Sequence, residues 1–517
     1  MKRIISTLLL VVVMLTTVVA SFTGCNLFGG NKPAAGADFV MPEGGFNTEE
    51  TITIKFYHSM GAALQEVLNR AIAEFNTLYP NIIIEHESLG DYDGVRNQIQ
   101  TEITVGGQPH IAYCYPDHIA VYNEAGAVQT LDSLMSSDVV VTRADGTTET
   151  IGFTEAQLND FIQAYLNEGR AFGDGKMYAL PISKSTEVLY YNIDALVAAG
   201  VVDADGNAAP PKTWEEMAVA CEKLKAYDPN CIPLGYDSES NWFITMCEQY
   251  GSGYTSATGD NFIFDNETNR NFVKMFREWY QKKWVTTEAL SGGYTSNLFT
   301  GKSSSSSTES KVPAGTRCYM CIGSTGGASY QQPNTTTVEV KDADGNPVLD
   351  ENGNPKTDLV PDFEVGITSI PQVNPDAPKV ISQGPSICIF KKDNPQEVLA
   401  TWLFAKFLTT NLDFQAGMSM SNGYAPVIKS VAENEVYAKF LAKSGTLNLQ
   451  AYAVKVALEQ EKAYYASPAF NGSSVARDQV GLLIQKCFTI EAGADLDATI
   501  KKVFEEKVAE CKYQSGQ

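Results

Sequence analysis

Residues 51–89 read TITIKFYHSMGAALQEVLNRAIAEFNTLYPNIIIEHESL. Ile52, Ile54 and Phe56 alternate with polar residues, the period of a half-buried strand. Leu64, Val67, Leu68, Ala71, Ile72 and Phe75 then recur at helical spacing, and the helix is expected to stop at Tyr79-Pro80. NIIIEHESL is a second strand. The same alternation continues outward: YDGVRNQIQTEITVGGQP predicts a helix stopped by glycine, HIAYCYPDH a short strand, and IAVYNEAGAVQTLDSL another helix. Strand and helix in steady succession predict βαβ units and a parallel sheet covered on both faces, an α/β fold. Further on, MYALPISKSTEVLYYN, FEVGITSIP and SICIFKKD read as strands. PKTWEEMAVACEKLKAYD, NWFITMCEQYG, NRNFVKMFREWYQKKW and PQEVLATWLFAKFLTT read as helices, and the tail from Pro426 is mostly helical.

The N-terminus, MKRIISTLLLVVVMLTTVVASFTGC, has a basic start at Lys2 and Arg3 and an apolar run from Ile4 to Ala20. Residues 1–24 are expected to be a secretory signal peptide, too short and wrongly flanked for a membrane span. Phe22-Thr23-Gly24-Cys25 resembles a bacterial lipobox, which would make Cys25 the lipidated mature N-terminus. The alternative is an ordinary cleaved signal with an incidental cysteine. Residues 25–47, rich in Gly, Pro, Ala and Asn, read as a flexible tether with an end-to-end distance of about 25 Å. Removal of residues 1–24 leaves 493 residues and, with Lys2 and Arg3 gone, moves the formal charge from −23 to −25. Such acidity argues against nucleic acid or anionic headgroups as partners, and the length implies more than one domain.

Nine cysteines remain besides Cys25, scattered and odd in number. Cys221 and Cys231 bracket a helix end and could pair; the others sit in apolar settings such as PSICIF, as small buried hydrophobes. Free thiols on an exported chain suggest a reducing habitat. Cys318 and Cys321 form a C-x-x-C inside RCYMCI, which alternates like a strand. On a strand these two side chains point to opposite faces and cannot share a metal, and no second C-x-x-C completes a zinc site. The loop after it, Gly323-Ser-Thr-Gly-Gly327, ends a strand and is expected to lead into a helix at Ala328; its N–H groups and hydroxyls suit an oxyanion or sugar hydroxyls, or merely turn the chain.

The four histidines (His58, His86, His110, His118) all fall in the first part of the chain without a metal-ligand spacing. No metal and no cofactor is expected. No G-x-S-x-G or H-E-x-x-H is present, so no catalytic residue is assigned. Three Asp-Gly turns, in TRADGTTET, VVDADGNAAPP and VKDADGNPVLDENGNPKTD, read as surface hairpins; Asp342-Ala-Asp344-Gly-Asn346 hints at calcium but misplaces the glycine of an EF-hand loop and lacks its closing glutamate. The Ser303–Ser307 run reads as a solvated loop.

In this order, FYHSM before a long helix, ALPISKSTEVLYYNIDAL, PKTWEEM, MCIGSTGGAS, SQGPSICIFKKDNPQEVLATWLFAKFL and SNGYAPV resemble the extracellular solute-binding proteins of ABC importers that bind sugars and polyols. FYHSM, GDYDGVRNQ and an arginine before a late helix resemble the glycerol-3-phosphate-binding members in particular. The resemblance implies two α/β lobes joined by hinge crossings, a periplasmic-binding-protein-like Venus-flytrap. Residues 48–184 and 362–411 would form lobe I, and 185–361 and 412–517 lobe II, with ligand between them at strand ends.

Positions carry over singly from that resemblance. Tyr92 matches an aromatic contact and Asp117 an acid that takes hydroxyls. Ser185 matches a hydroxyl contact at the crossing, and Trp242 a tryptophan that stacks on ligand or, equally, a core aromatic. Ser324 matches the serine of the glycine loop, Gly384 a backbone contact, and Tyr424 a further hydroxyl. Arg477 is expected in the first turn of a helix capped by Ser473 or Ser474, where a cation opposes the macrodipole; a bound anion would reconcile them, and a surface pair with Asp478 is the alternative. The chain departs from the family in two insertions, residues 303–313 after Gly301-Lys302 and residues 338–360. The function implied is a monomeric, membrane-anchored, extracytoplasmic lipoprotein that captures a carbohydrate or polyol, glycerol 3-phosphate among the candidates, and delivers it to ABC permease subunits. A cell-surface glycan hydrolase and an adhesin are the rival classes.

Overall fold

The computed structural model describes residues 38–302, 310–491, 493 and 495–517. The signal, Cys25, most of the tether and the Ser303–Ser307 run lie outside them. The opening stretch folds as its periodicity dictates. Ile52–His58 is a strand whose Ile52, Ile54 and Phe56 are buried, and it pairs in parallel with Ile82–Ser88 and Ile111–Cys114. The helix Ala62–Leu78 buries Val67, Leu68, Ala71 and Phe75 against them and ends at Tyr79, before Pro80.

Two sheets result. The first runs in the order Ile82–Ser88, Ile52–His58, Ile111–Cys114, Ser386–Ile389, Leu180–Pro181. The second runs Tyr464–Tyr465, Val380–Gln383, Ser185–Asn192, Met320–Ser324, Leu234–Tyr236, Val285–Thr287, with Val365–Ser369 also pairing on Ser185–Asn192. Each sheet has its own apolar core, one around Phe56, Phe75, Trp402 and Phe404 and one around Trp214, Trp242, Phe276 and Phe488. This is the two-lobed α/β architecture.

The lobes meet where strands change sheets. Leu180–Pro181 passes into Ser185–Asn192 through Ser183 and Lys184, and Val380–Gln383 passes into Ser386–Ile389 through Gly384. These crossings press together. Gly384 has φ +93°, and a Cβ there would lie 2.5 Å from the Ser183 carbonyl oxygen, so the position requires glycine. Lys184, fully buried, pairs with Glu168 and donates to the Gly384 carbonyl (3.1 Å) and Ser386 Oγ (3.0 Å). Ala425 joins as a third segment through two backbone hydrogen bonds with Lys184.

Several sequence expectations need correction. Val365–Ser369 and Val380–Gln383, assigned to lobe I, extend the second sheet. Leu412–Asn422 and Glu435–Leu441, assigned to lobe II, pack in the first core through Phe414, Met418 and Tyr437; Gly417 is needed because a Cβ would come within 2.9 Å of Val67 Cγ1. The tether stops short of residue 47. Phe39, Met41 and Phe46 pack on the first core, and Gln396 holds Asn47 N–H and the Gly45 carbonyl.

The glycine loop is a 3-10 helix over Thr325–Gln331, starting before Ala328. Met320 and Ile322 enter the second core while Cys321 faces Val188 and Tyr190 on the other side of the sheet; Cys318 is buried just ahead of the strand. Cys221 and Cys231 are not bonded to each other, and burial pushes both thiols up, Cys231 to about 12. The extra hairpin pairs Thr335–Glu339 with Thr357–Pro361 at the surface. In its turns Asp342 Oδ1 accepts from the N–H of Asp344 and Asn346, and Asp350 Oδ1 from Asn352 and Asn354, so both carboxylates cap backbone. Among the described residues no cluster of three or more His, Cys, Asp or Glu is placed to hold a metal, and no helix is long and apolar enough to cross a membrane.

Candidate functional site: the cleft between the lobes

Beside the crossings a cavity of about 240 Å³ opens between the lobes. Three helix N-termini converge on it. From lobe I comes Tyr92–Ile103, capped by Asp91, whose carboxylate accepts from Gly94 N–H at 2.7 Å. Gly94 is required, since a Cβ would sit 2.3 Å from the Leu89 carbonyl. Also from lobe I comes Pro116–Glu124, with proline at its first position and no side-chain cap. From lobe II comes Ser473–Phe488, whose cap is Gly472 at φ +103°, not Ser473 or Ser474. This helix too has no side-chain cap and no acidic residue in its first turn. Positive dipole ends therefore face the cavity from both walls, with Asp117 in the first turn of the lobe I helix.

Of the eight expected ligand contacts, Tyr92, Asp117 and Arg477 line this cavity. Tyr92 packs on Tyr115, ring centroids 4.7 Å apart. Burial, then Tyr115 and Tyr424, hold the Tyr92 phenol well above its usual range, so it stays a neutral donor. Arg477 is the fifth residue of its helix, one or two residues deeper than expected. It makes no ion pair among the described residues, Asp478 included, and its Nη2 donates to Asn241 Oδ1. Tyr424 stands behind Tyr92, its ring against Gly326 of the glycine loop.

The others lie elsewhere. Trp242 is fully buried in the second core, stacked on Tyr236 at 4.8 Å and 14° and packed on Phe276. Its helix, Glu239–Tyr250, buries residues on every side, so the tryptophan is core. Ser324 Oγ accepts from Gly326 N–H and caps the 3-10 turn away from the cavity wall. Ser185 is buried in the crossing strand opposite Gln383, and Gly384 serves the crossing as described above.

The cavity also gathers residues that sequence reading passed over. Arg96 lies four residues after Tyr92, one helical turn along the same face. It pairs with Asp93 at 3.2 Å and donates across the cleft to Ser474 Oγ at 3.1 Å. Four buried polar atoms of lining residues have no hydrogen-bond partner among the described residues: His118 Nδ1, Tyr254 Oη, Ser382 Oγ and Gln383 Nε2. Leaving such atoms unpaired costs about 1–3 kcal/mol each, so together they favour a ligand rich in hydroxyls or oxygens. Burial holds the His118 imidazole below its usual range and therefore neutral. Burial, with Asp93 and Asp117 nearby, pushes the Asp478 carboxyl up, although Arg96 and Arg477 oppose this. The site thus offers one guanidinium without an ion pair among the described residues, two helix N-termini without side-chain caps, aromatic faces and scattered hydrogen-bonding groups.

Comparison with known proteins bears on the family and the fold. The sequence profile of the bacterial extracellular solute-binding protein family matches residues 70–442. The chain is 29% identical over 201 residues to the sn-glycerol-3-phosphate-binding periplasmic protein UgpB of Escherichia coli (strain K12), covering 39% of this chain and 41% of that protein. The corresponding protein of Shigella dysenteriae serotype 1 is 29% identical over 192 residues, covering 37% and 39%. The matches thus span about two fifths of these relatives' length. Among solved structures, UgpB from Mycobacterium tuberculosis in complex with glycerophosphocholine superposes with a TM-score of 0.64 at 17% identity, covering 89% of this chain and 99% of that one. The sugar-binding protein MalE from Xanthomonas citri gives 0.63 at 16%, covering 89% and 98%. With the family profile covering well over half its length, this chain belongs to the bacterial extracellular solute-binding proteins.

Proposed function

We propose that this protein captures a small polyol or sugar bearing an anionic group, with glycerol phosphates the first candidates, and releases it unaltered to an ABC permease. Arg477 carries this reading. Arg477 lies just over one turn inside a helix N-terminus that has no side-chain cap, and it makes no ion pair among the described residues. A phosphate placed there meets guanidinium and backbone N–H groups together. Tyr92 and Tyr115 would cover the carbon backbone, while Asp117 and the unpartnered groups would take its hydroxyls. The names of the relatives, glycerol-3-phosphate-binding and glycerophosphocholine-bound, support the same class. Lipidation at Cys25 after removal of residues 1–24 would hold the protein at the outer face of the membrane, and residues up to 37 would give it reach.

Micromolar capture requires only about −8 kcal/mol, within the means of one such cleft. Titration calorimetry against sn-glycerol 3-phosphate, glycerophosphocholine and maltose tests the reading. Binding of the phosphates, with loss of about 2–3 kcal/mol in Arg477→Ala, is the expected result. Preference for maltose with Arg477→Ala unchanged would replace the anionic ligand by a neutral one, and turnover products would overturn the binding role.

A further inference from the structure

Behind Arg477 the second lobe contains a chain of polar groups that does not touch the cavity. Glu187, on the crossing strand Ser185–Asn192, is buried to 1% exposure. Its Oε1 accepts from Asn241 Nδ2 at 2.9 Å and its Oε2 from the Tyr236 hydroxyl at 2.6 Å. Asn241 is itself buried, at 4% exposure, and its other amide atom, Oδ1, accepts from Arg477. An asparagine amide can be turned either way, and its NH₂ end would repel a guanidinium. Glu187 accepts hydrogen bonds and cannot give one when ionised, so it selects the orientation that offers oxygen to Arg477.

We propose that Glu187 is a positioning residue of the anion site, fixing the Arg477 guanidinium on the cleft wall through the Asn241 amide. This rests on the reading of Arg477 as the anion-binding residue. The same geometry couples the site to protons. Tyr236 and Asp237 face Glu187 from one strand and the turn after it, Asn241 and Arg477 from two helices, and Tyr465 from the short Tyr464–Tyr465 strand. Burial pushes the Glu187 carboxyl up to about 7; Tyr236, Asn241 and Arg477 pull it down, and Asp237 adds to the rise. An anion on Arg477 offsets part of that guanidinium's pull and raises the carboxyl further. Binding near neutrality must then take up part of a proton, and by reciprocity anion affinity must fall as pH rises through 7.

Calorimetry with glycerophosphocholine, whose phosphodiester charge is constant between pH 5.5 and 8.5, reads both effects. The wild type is expected to show a binding enthalpy that varies with the ionisation enthalpy of the buffer at pH 7. E187Q keeps an acceptor for Asn241 and is expected to bind within about threefold of wild type at pH 5.5, with no buffer dependence. E187L removes the acceptor and is expected to weaken the phosphodiester about tenfold or more. Equal affinity in E187L and wild type, or proton uptake that persists in E187Q, overturns the inference. Should E187L fail to fold, the proton-uptake arm in E187Q decides alone. A wild type that binds neither glycerophosphocholine nor sn-glycerol 3-phosphate instead overturns the anion reading itself, a result distinct from the other two.

Discussion

The two walls of the cleft are built on opposite electrostatic terms. On lobe I each helix end carries acid: Asp91 caps the Tyr92–Ile103 helix, Asp93 pairs with Arg96 three residues on, and the Pro116–Glu124 helix, which has no side-chain cap, holds Asp117 in its first turn. On lobe II the Ser473–Phe488 helix has no side-chain cap, and Arg477 is held by an uncharged amide. A wall whose charges are already spent contributes shape and hydrogen bonds. A wall with charge in reserve contributes attraction for the opposite sign. The difference suggests a division of labour in which lobe II takes the anion and lobe I reads the carbon skeleton and its hydroxyls.

That contrast can be broken in order of expected effect. Trp242→Ala should cost about 3–5 kcal/mol of stability, seen in chemical denaturation, because the ring lies in the lobe II core. Trp242→Phe should leave ligand affinity within about twofold, and a large specific loss would return the ring to the binding site. Arg477→Ala, costing phosphate-bearing ligands about 2–3 kcal/mol, should leave any neutral sugar unaffected in the same titration, whereas Asp117→Asn should weaken both classes by about 1 kcal/mol. Arg96→Ala removes the Ser474 contact across the cleft and should cost less than about 1 kcal/mol of affinity. It should also shift the ligand-bound protein toward a larger radius of gyration by X-ray scattering; no change in either would make Arg96 a lobe I residue only.

The smallest effect at neutral pH belongs to residues that do not line the cavity. His58 Nδ1 accepts from Met60 N–H, so its Nε2 donates to His86 Nδ1, and His86 Nε2 donates to Asn69. Burial, then His86, lowers the His58 imidazole to about 4. Its folded value is depressed below the ordinary 6.5, so the neutral form is favoured in the fold. This contribution is complete above about pH 6.5 and is lost as pH falls toward 4. His58→Gln should flatten the acid limb of a melting-temperature profile over that window.

How far the sequence could be read depends on whether the information was local. The alternation from Thr51 onward was legible because strand and helix periods are written into neighbouring residues, and Arg477 stood out because its position conflicts with its own helix. Tyr92 and Arg96 shared a face one turn apart, yet the link from Arg96 to Ser474 spans residues far apart in the chain. The lobe boundary near residue 411 was not legible. Pro395–Thr410 is buried nearly all round, and only Asn411 separates it from the next helix, so no local feature tells which core receives Phe414. Trp242 misled for the same reason: eight of the twelve residues of its helix are buried, leaving no polar face to reveal which side met solvent. Glu187 and Asn241, 54 positions apart, gave no sign in sequence of their contact.

Lys184 sits on one passage between the lobes, and the three hydrogens of its ammonium are committed to Glu168 at the end of the Gln163–Glu168 helix and to Gly384 and Ser386 on the other passage. It acts as a rivet through crossed straps. Sliding one lobe past the other would tear it, whereas rotation about it leaves its bonds in place. Opening and shutting should therefore proceed as a swing about a fixed pivot, and fluorophores set far from that pivot on each half would report ligand with the longest lever arm.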